Sequence, residues 1–228
     1  MTKAAERLTE EVAAEAMATG IPGLHASTPE RLPFAPELEI RSFLLRRGRG
    51  NILIYSTSGL GADAAAISGL GGISRHYLNH WHEAMFASDW VDAPLFVHEA
   101  ERDSVARSYP VRGTFSRRHE FEDDFEVIPT PGHTEGATAY LWGNGEQRLL
   151  FTGDSVYLNH GEWVAAVLSS SDRDRYLENL ELIRDLDFDV LVPWAASAGE
   201  LFYAPTDRAD THRRIDTILD RVRRGGDG

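Results

Sequence analysis

The sequence predicts an α/β protein in which two β-sheets pack face to face with helices on their outer surfaces. Three observations lead there. β-prone runs fall into two blocks, and each block is trailed by segments with helical spacing of apolar residues. The second half repeats the alternation of the first. No linker or break in composition interrupts the 228 residues, so a single domain over 1–228 is expected.

Thr2 to Thr19 is rich in Ala and Glu and sets Leu8, Val12 and Ala16 on one weak stripe, which predicts a peripheral helix. Residues 1–36 are then this helix and a Pro/Gly-punctuated connection from Ile21 to Pro36. Leu38–Leu45 and Asn51–Tyr55 are β-rich, with a hairpin turn at Arg47-Gly48-Arg49-Gly50. A short helix over Ala62–Leu70 and a strand over Ile73–Leu78 follow. Glu83–Phe86 has the composition of a helix start. Leu95–Val97 reads as a buried strand and Glu99–Arg107 as a helix. In the second half, strands are expected at Phe125–Ile128, Ala137–Trp142 and Arg148–Phe151, then a loop from Ser155 to Ser171. Ser171-x-x-Asp174 resembles a capping box opening a helix whose stripe is Leu177, Leu180, Ile183 and Leu186. Phe188–Val192 is a strand ended by Pro193, and Ile215, Ile218, Leu219 and Val222 mark a last helix.

Composition narrows the chemistry. Hydrophobic residues at 42% and charged residues at 26% fit a folded globular chain. A formal charge of −13 argues against nucleic acid as a partner, because phosphate backbones need a basic footprint. The arginines of the last helix are offset by acids in the same segment. There is no cysteine, so thiolate nucleophiles and Cys-ligated zinc are excluded and any metal must sit on imidazole and carboxylate. No apolar run is long enough to span a membrane and no signal-peptide core opens the chain. A cytoplasmic location is the default expectation, and a homo-oligomer is left open.

Two stretches share one form. Phe125–Ile128 runs into Thr130-Pro131-Gly132-His133-Thr134, and Leu149–Phe151 runs into Thr152-Gly153-Asp154-Ser155. In each, a β-prone run ends in a glycine turn that carries a metal-competent side chain, and glycine allows the sharp bend at a strand end. Upstream, Leu78-Asn79-His80-Trp81-His82 sets two histidines at i, i+2, which on a strand share a face while Trp81 points away, to the core or an adjoining loop. Neutral imidazole is the commonest metal ligand. Of the nine histidines, His25, His76, His98, His119 and His212 stand alone and are expected to be structural or on the surface.

His80-x-His82, Pro131-Gly132-His133-Thr134 and Phe151-Thr152-Gly153-Asp154, in that order, resemble the metallo-β-lactamase superfamily, in the branch similar to hydroxyacylglutathione hydrolases. The resemblance spans roughly residues 38 to 195. It implies a four-layer αββα sandwich with the metal site at one edge. It also implies a first-metal set of His80, His82, His133 and Asp154. Where the family carries Asp-His after the second histidine, this chain has Ala84-Met85; where it carries a final histidine, the chain reads Pro193-Trp194-Ala195. Those are the family's second-metal groups, so one divalent ion is expected, zinc foremost and iron as the alternative. Glu83 and His160 are the neighbouring side chains able to replace missing ligands.

The expected activity is hydrolysis of a small-molecule ester, thioester or lactone by metal-activated hydroxide, with Asp154 as the catalytic group orienting the nucleophile. An Fe(II)-dependent oxidoreductase similar to persulfide dioxygenases, and a catalytically silent binding or regulatory protein, are the alternatives. Tyr157 and Trp163 in the loop after Asp154, together with Trp194, are candidate walls of the substrate pocket.

Overall fold

Alternation along the strands builds the layers. The computed structural model describes residues 15–226, so of the expected helix Thr2–Thr19 only residues 15–19 are described, and the rest lies outside the described residues. One six-stranded sheet runs in the order β1 (Leu24–Ala26), β4 (Phe43–Leu45), β5 (Ile52–Ile54), β6 (Arg75–Tyr77), β7 (Leu95–His98) and β8 (Val111–Phe115). A second is ordered β17 (Ala204–Pro205), β15 (Val190–Leu191), β12 (Arg148–Phe151), β11 (Thr138–Gly143), β10 (Phe125–Pro129) and β9 (His119–Phe121).

Successive side chains on a strand face opposite ways. Phe43, Leu45, Ile52 and Ile54 therefore point inward to meet Tyr140, Trp142, Leu149 and Phe151 of the opposing sheet in one aromatic-rich core. Leu44 and Leu53, between them, point outward onto Leu60, Ala66 and Ile67 of the 58–69 helical segment. On the other sheet, Ala139, Leu141 and Leu150 face out onto Tyr176, Leu180 and Ile183 of helix Arg173–Asp185, and Ile215, Ile218 and Leu219 of helix Arg208–Arg223. Three apolar interfaces in series make the αββα sandwich. At about 25 cal/mol per Å² of apolar surface removed from water, this burial is the main stabilising contribution.

Several local expectations are revised. Leu38–Leu45 is two strands, because β3 (Ala35–Ile40) leaves the first sheet. It joins a third, five-stranded ladder in the order β14 (Glu162–Val164), β13 (Tyr157–Asn159), β16 (Ala195–Ser197), β3, β2 (Glu30–Leu32). The break falls at Arg41-Ser42, whose amides donate to Trp194 O at 3.2 Å and Ser27 Oγ at 2.9 Å instead of to a strand neighbour. This ladder continues the second layer: Ala195 faces the inter-sheet core and Ala196 the helices, as Val190 and Leu191 do. The expected loop 155–171 contains its β13–β14 hairpin. The helix expected over Glu99–Arg107 is a 3₁₀ turn, Glu99–Glu101, and a single α-turn, Arg102–Val105. The cap of helix Arg173–Asp185 is Asp172, accepting from Arg175 N at 3.1 Å. Ser171 instead donates its hydroxyl to His133 O at 3.0 Å. No helix among the described residues is long and apolar enough to cross a membrane.

Candidate metal centre

The His80–His82 pair does not ride on a strand. β6 stops at Tyr77, and His80 is the N-cap of a 3₁₀ turn over Trp81–Phe86, with His82 one residue inside it. The tight turn brings the two rings edge to face at 4.9 Å. It also leaves Trp81 partly exposed and ring to ring with His82 at 4.1 Å, not in the core. His133 arrives from the turn after β10 and Asp154 from the turn after β12.

Both glycines are required where they stand. Gly132 has φ +149, and a Cβ there would lie 2.6 Å from Tyr176 Cα. Gly153 has φ +58, and its Cβ would lie 2.3 Å from the Asn79 side chain. A side chain at either position would push the turn off its neighbour and carry the following ligand with it.

His80, His82, His133 and Asp154 each present one donor atom, and these four atoms lie within 4.8 Å of one another. His80 Nε2 is 3.3 Å and His133 Nε2 3.6 Å from Asp154 Oδ2, and His82 Nδ1 is 3.0 Å from His133 Nε2. The far nitrogens of His133 and His80 are spoken for. His133 Nδ1 donates to Ala166 O at 2.7 Å. His80 Nδ1 lies 3.1 Å from both Asn79 Oδ1 and Glu83 Oε1. Anchoring Nδ1–H in this way fixes the tautomer that turns the Nε2 lone pair to the centre. His80 Nε2 is fully buried with no hydrogen-bond partner, though Asp154 is within charge-pairing range.

Burial and mutual repulsion hold His82 at about 3 and His133 at about 4, so both are neutral imidazoles at pH 7. Burial opposes charge on His80 as well, but Asp154 and then Glu83 overcome it and raise it to about 10. Asp154 is correspondingly held at about 2 against its own burial, chiefly by His80. Two neutral imidazoles, a third whose Nε2 would give up its proton on taking a metal, and a carboxylate are a donor set that suits a divalent ion such as zinc. The residues fit one.

Around these four lies a supporting layer that sequence reasoning did not find. Tyr55, itself at φ +67, accepts from Gly153 N at 2.9 Å and donates to Val192 O at 2.8 Å, tying the Asp154 turn to the end of β15. Buried Glu101 accepts from Trp81 N at 2.8 Å and Gly136 N at 2.7 Å, clamping the two histidine loops together. The Tyr176 hydroxyl reaches Asp154 O and Ser155 O, both at 2.9 Å. Tyr55, Glu101 and Tyr176 sit far from the motifs in sequence, and no spacing signals them.

The remaining candidates separate. Glu83 is behind His80, on its Nδ1 side, so it orients a ligand and does not replace one. Its amide partner is Asn79 N at 3.0 Å, and burial raises it to about 7 against the pull of His80. His160 is exposed on the β13–β14 turn and paired with Glu200 at 2.7 Å, so it supplies no ligand here. Trp163 is buried under the helices against Phe188 and takes no part in the pocket, because alternation on β14 turns it inward. Tyr157 and Trp194 do line the cleft over the donors, which measures about 260 Å³. Trp194 stands edge-on to His80 at 5.8 Å with its indole N–H donated to Ser56 O at 3.0 Å. His25, His76, His98, His119 and His212 all lie outside the cluster.

Comparison with known proteins agrees with this geometry. None of the curated proteins compared with the chain matches it. Solved structures do. The metallo-beta-lactamase GOB-18 from Elizabethkingia meningoseptica superposes with a TM-score of 0.58 at 17% identity, covering 87% of this chain and 92% of that one. ETHE1 from Myxococcus xanthus gives 0.58 at 17% identity, with 85% of each chain covered. An archaeal metallo-beta-lactamase superfamily protein from Sulfolobus tokodaii gives 0.59 at 16% identity, with 86% of each covered. At these identities the likeness is one of fold. The model of the metallo-beta-lactamase superfamily matches residues 62–195, a span that contains all four converging side chains and more than half of the sequence, and the chain therefore belongs to that superfamily.

Proposed function

We propose that the chain is a metal-dependent hydrolase of small-molecule esters, thioesters or lactones, with one divalent ion, zinc foremost, on His80, His82, His133 and Asp154. The observation that carries this reading is the convergence of those four donors, three of which, His82, His133 and Asp154, face an open cleft. A divalent ion there supplies a Lewis acid for a carbonyl oxygen and lowers the pKa of water toward neutrality.

The protein's own groups do the rest. Asp154 is a partly exposed donor, with its side chain 17% accessible from the cleft. As the catalytic carboxylate it would orient the attacking water, whose proton passes to the leaving group. The water oxygen bonds to the carbonyl carbon, the acyl–oxygen or acyl–sulfur bond breaks, and the leaving group departs with a proton. His80 and His133, fixed through Nδ1, keep their donor atoms in place during the reaction. A single ion is favoured because the second-metal positions of the family carry Ala84, Met85 and Ala195, none of which is a ligand for zinc.

Elemental analysis of tag-free protein purified without chelator, run beside an ester, thioester and lactone panel, tests the reading. About one equivalent of metal and hydrolysis abolished by His133→Ala are expected. Activity that survives complete chelation would sink the hydrolase reading. Oxygen uptake dependent on Fe(II), without hydrolysis, would replace it with an oxidoreductase. Protein that retains no metal would point to a silent member of the superfamily.

A further inference from the structure

Three separate segments stand apolar side chains around the cleft: Phe34 and Leu38 of the β2–β3 hairpin, Met85 at the end of the 3₁₀ turn, and Leu168 after β14. Phe34, Met85 and Leu168 are 70%, 56% and 42% exposed. A lone exposed apolar residue needs no explanation, but a rim of them converging on a polar floor is the pattern of a recognition surface.

The polar inventory of the wall is short. Apart from the metal-centre donors at the floor, it offers the Tyr157 hydroxyl and the Trp194 indole N–H, and the latter is already donated to Ser56. Among the described residues, no arginine or lysine lines the cleft. The chain as a whole carries a formal charge of −13. An anionic group laid on this wall would surrender its hydration with no cation to receive it, which is strongly unfavourable. An alkyl chain gains on the same surface, about fourfold in affinity per methylene covered.

We infer that the site takes neutral acyl compounds, with the acyl chain lying against Leu38, Phe34 and Leu168 while the carbonyl reaches His133 and Asp154. Substrates carrying a carboxylate on that side are rejected, including thioesters of anionic peptide thiols bound with the peptide in this cleft. The placement of the carbonyl rests on the hydrolase reading. The preference for an uncharged chain rests on the wall alone.

The test is a binding series on the metal-loaded protein, followed by calorimetry or by quenching of tryptophan fluorescence. The probes are hexanamide, octanamide and decanamide, with the half-amide of decanedioic acid, which ends the longest chain in a carboxylate. Affinity should rise about tenfold or more with each added pair of methylenes. The half-amide should bind at least tenfold more weakly than decanamide. Leu168→Arg, which places a cation on the rim and keeps the backbone N–H bond of residue 168 to Ser171 Oγ, should narrow that gap. Affinity independent of chain length, or a half-amide that binds as well as decanamide, would overturn the inference. Nitrophenyl esters of the same acids separate the two readings. If the amide series behaves as expected and no ester is cleaved, the hydrolase reading fails and the ligand class stands. Ester cleavage with no dependence on chain length or terminal charge leaves the hydrolase reading and removes this one.

Discussion

Tyr55→Phe removes one oxygen atom and tests how the Asp154 turn is held. The hydroxyl sits in the sealed inter-sheet core, accepting from Gly153 N at 2.9 Å and donating to Val192 O at 2.8 Å. Phenylalanine fits the same space, so no cavity of consequence is made and two buried backbone groups lose their partner together. Each such group costs about 1–3 kcal/mol when left unpaired, and two of them with partial relaxation should cost about 2–4 kcal/mol. Urea unfolding at pH 7 reads that loss as a lower midpoint at unchanged slope. The second readout is local. Gly153 precedes Asp154, the proposed ligand, so a freed amide lets the turn shift, and metal affinity measured against a competing chelator should fall at least tenfold. A loss below about 1 kcal/mol with unchanged metal affinity would refute the reasoning. It would show that the turn is set by Gly153 and the Tyr176 bonds without the Tyr55 tie.

Three further outcomes are expected. Buried His76 is held near 4 from its ordinary 6.5 by desolvation, so the folded state resists its protonation. The stability it shares above pH 6.5 is therefore lost as pH falls toward 4, by about 3 kcal/mol at about 1.36 kcal/mol per pH unit. In urea unfolding between pH 7 and pH 4, His76→Gln should lose that much less than the parent. Glu83→Gln keeps an acceptor for Asn79 N but takes the charge from behind His80; metal affinity should drop about 10- to 100-fold by chelator competition, with little change in unfolding midpoint. Ala84→Asp, Met85→His and Ala195→His combined should not bind a second equivalent of zinc by calorimetry, and should lose several kcal/mol of stability, at about 1–3 kcal/mol per buried unpaired group.

The layers were readable because a short apolar, β-prone run is a local signal. Phe43-Leu44-Leu45 and Leu149-Leu150-Phe151 are apolar throughout, as strands covered on both faces are, and successive side chains go to opposite interfaces. Of the four converging side chains, His133 and Asp154 were legible because a glycine turn keeps side chain and bend within a few residues, and His80 and His82 because they stand two residues apart. What escaped was either short or distant. β13, β14 and β16 are three-residue strands held by the sheet they join, with no run long enough to show a period. The strand assigned to the histidine pair failed because Glu83, accepting from Asn79 N, and Glu101, accepting from Trp81 N, draw the backbone into a 3₁₀ turn. One of those carboxylates is 20 residues away, and pattern reading does not reach it. Trp163 was misplaced for a related reason: hairpin register, not loop position, decides that it faces Phe188.

Positions 84, 85 and 195 fall into three different environments, and this bears on why one ion is the better reading. Ala84 is packed with Leu78, Val97, Val105 and Tyr109 on the outer face of the first sheet. Ala195 opens β16, paired with Ile40, and faces the core between the sheets. Met85 alone looks into the cleft. The side chain that the turn after Pro193 presents to His80 is Trp194, edge-on to the imidazole and packed on Phe86 at 5.5 Å. The aromatic ring thus stands against His80 and Phe86 beside the converging donors. Its N–H is committed to Ser56 O, which fixes the ring's orientation. A carboxylate at 84 or an imidazole at 195 would begin in an apolar cluster and have to displace that ring before meeting a metal. The same ring, Trp194, lies beside His80 and in the wall of the cleft, so the proposed single ion and the proposed preference for an uncharged acyl chain lean on one structural feature.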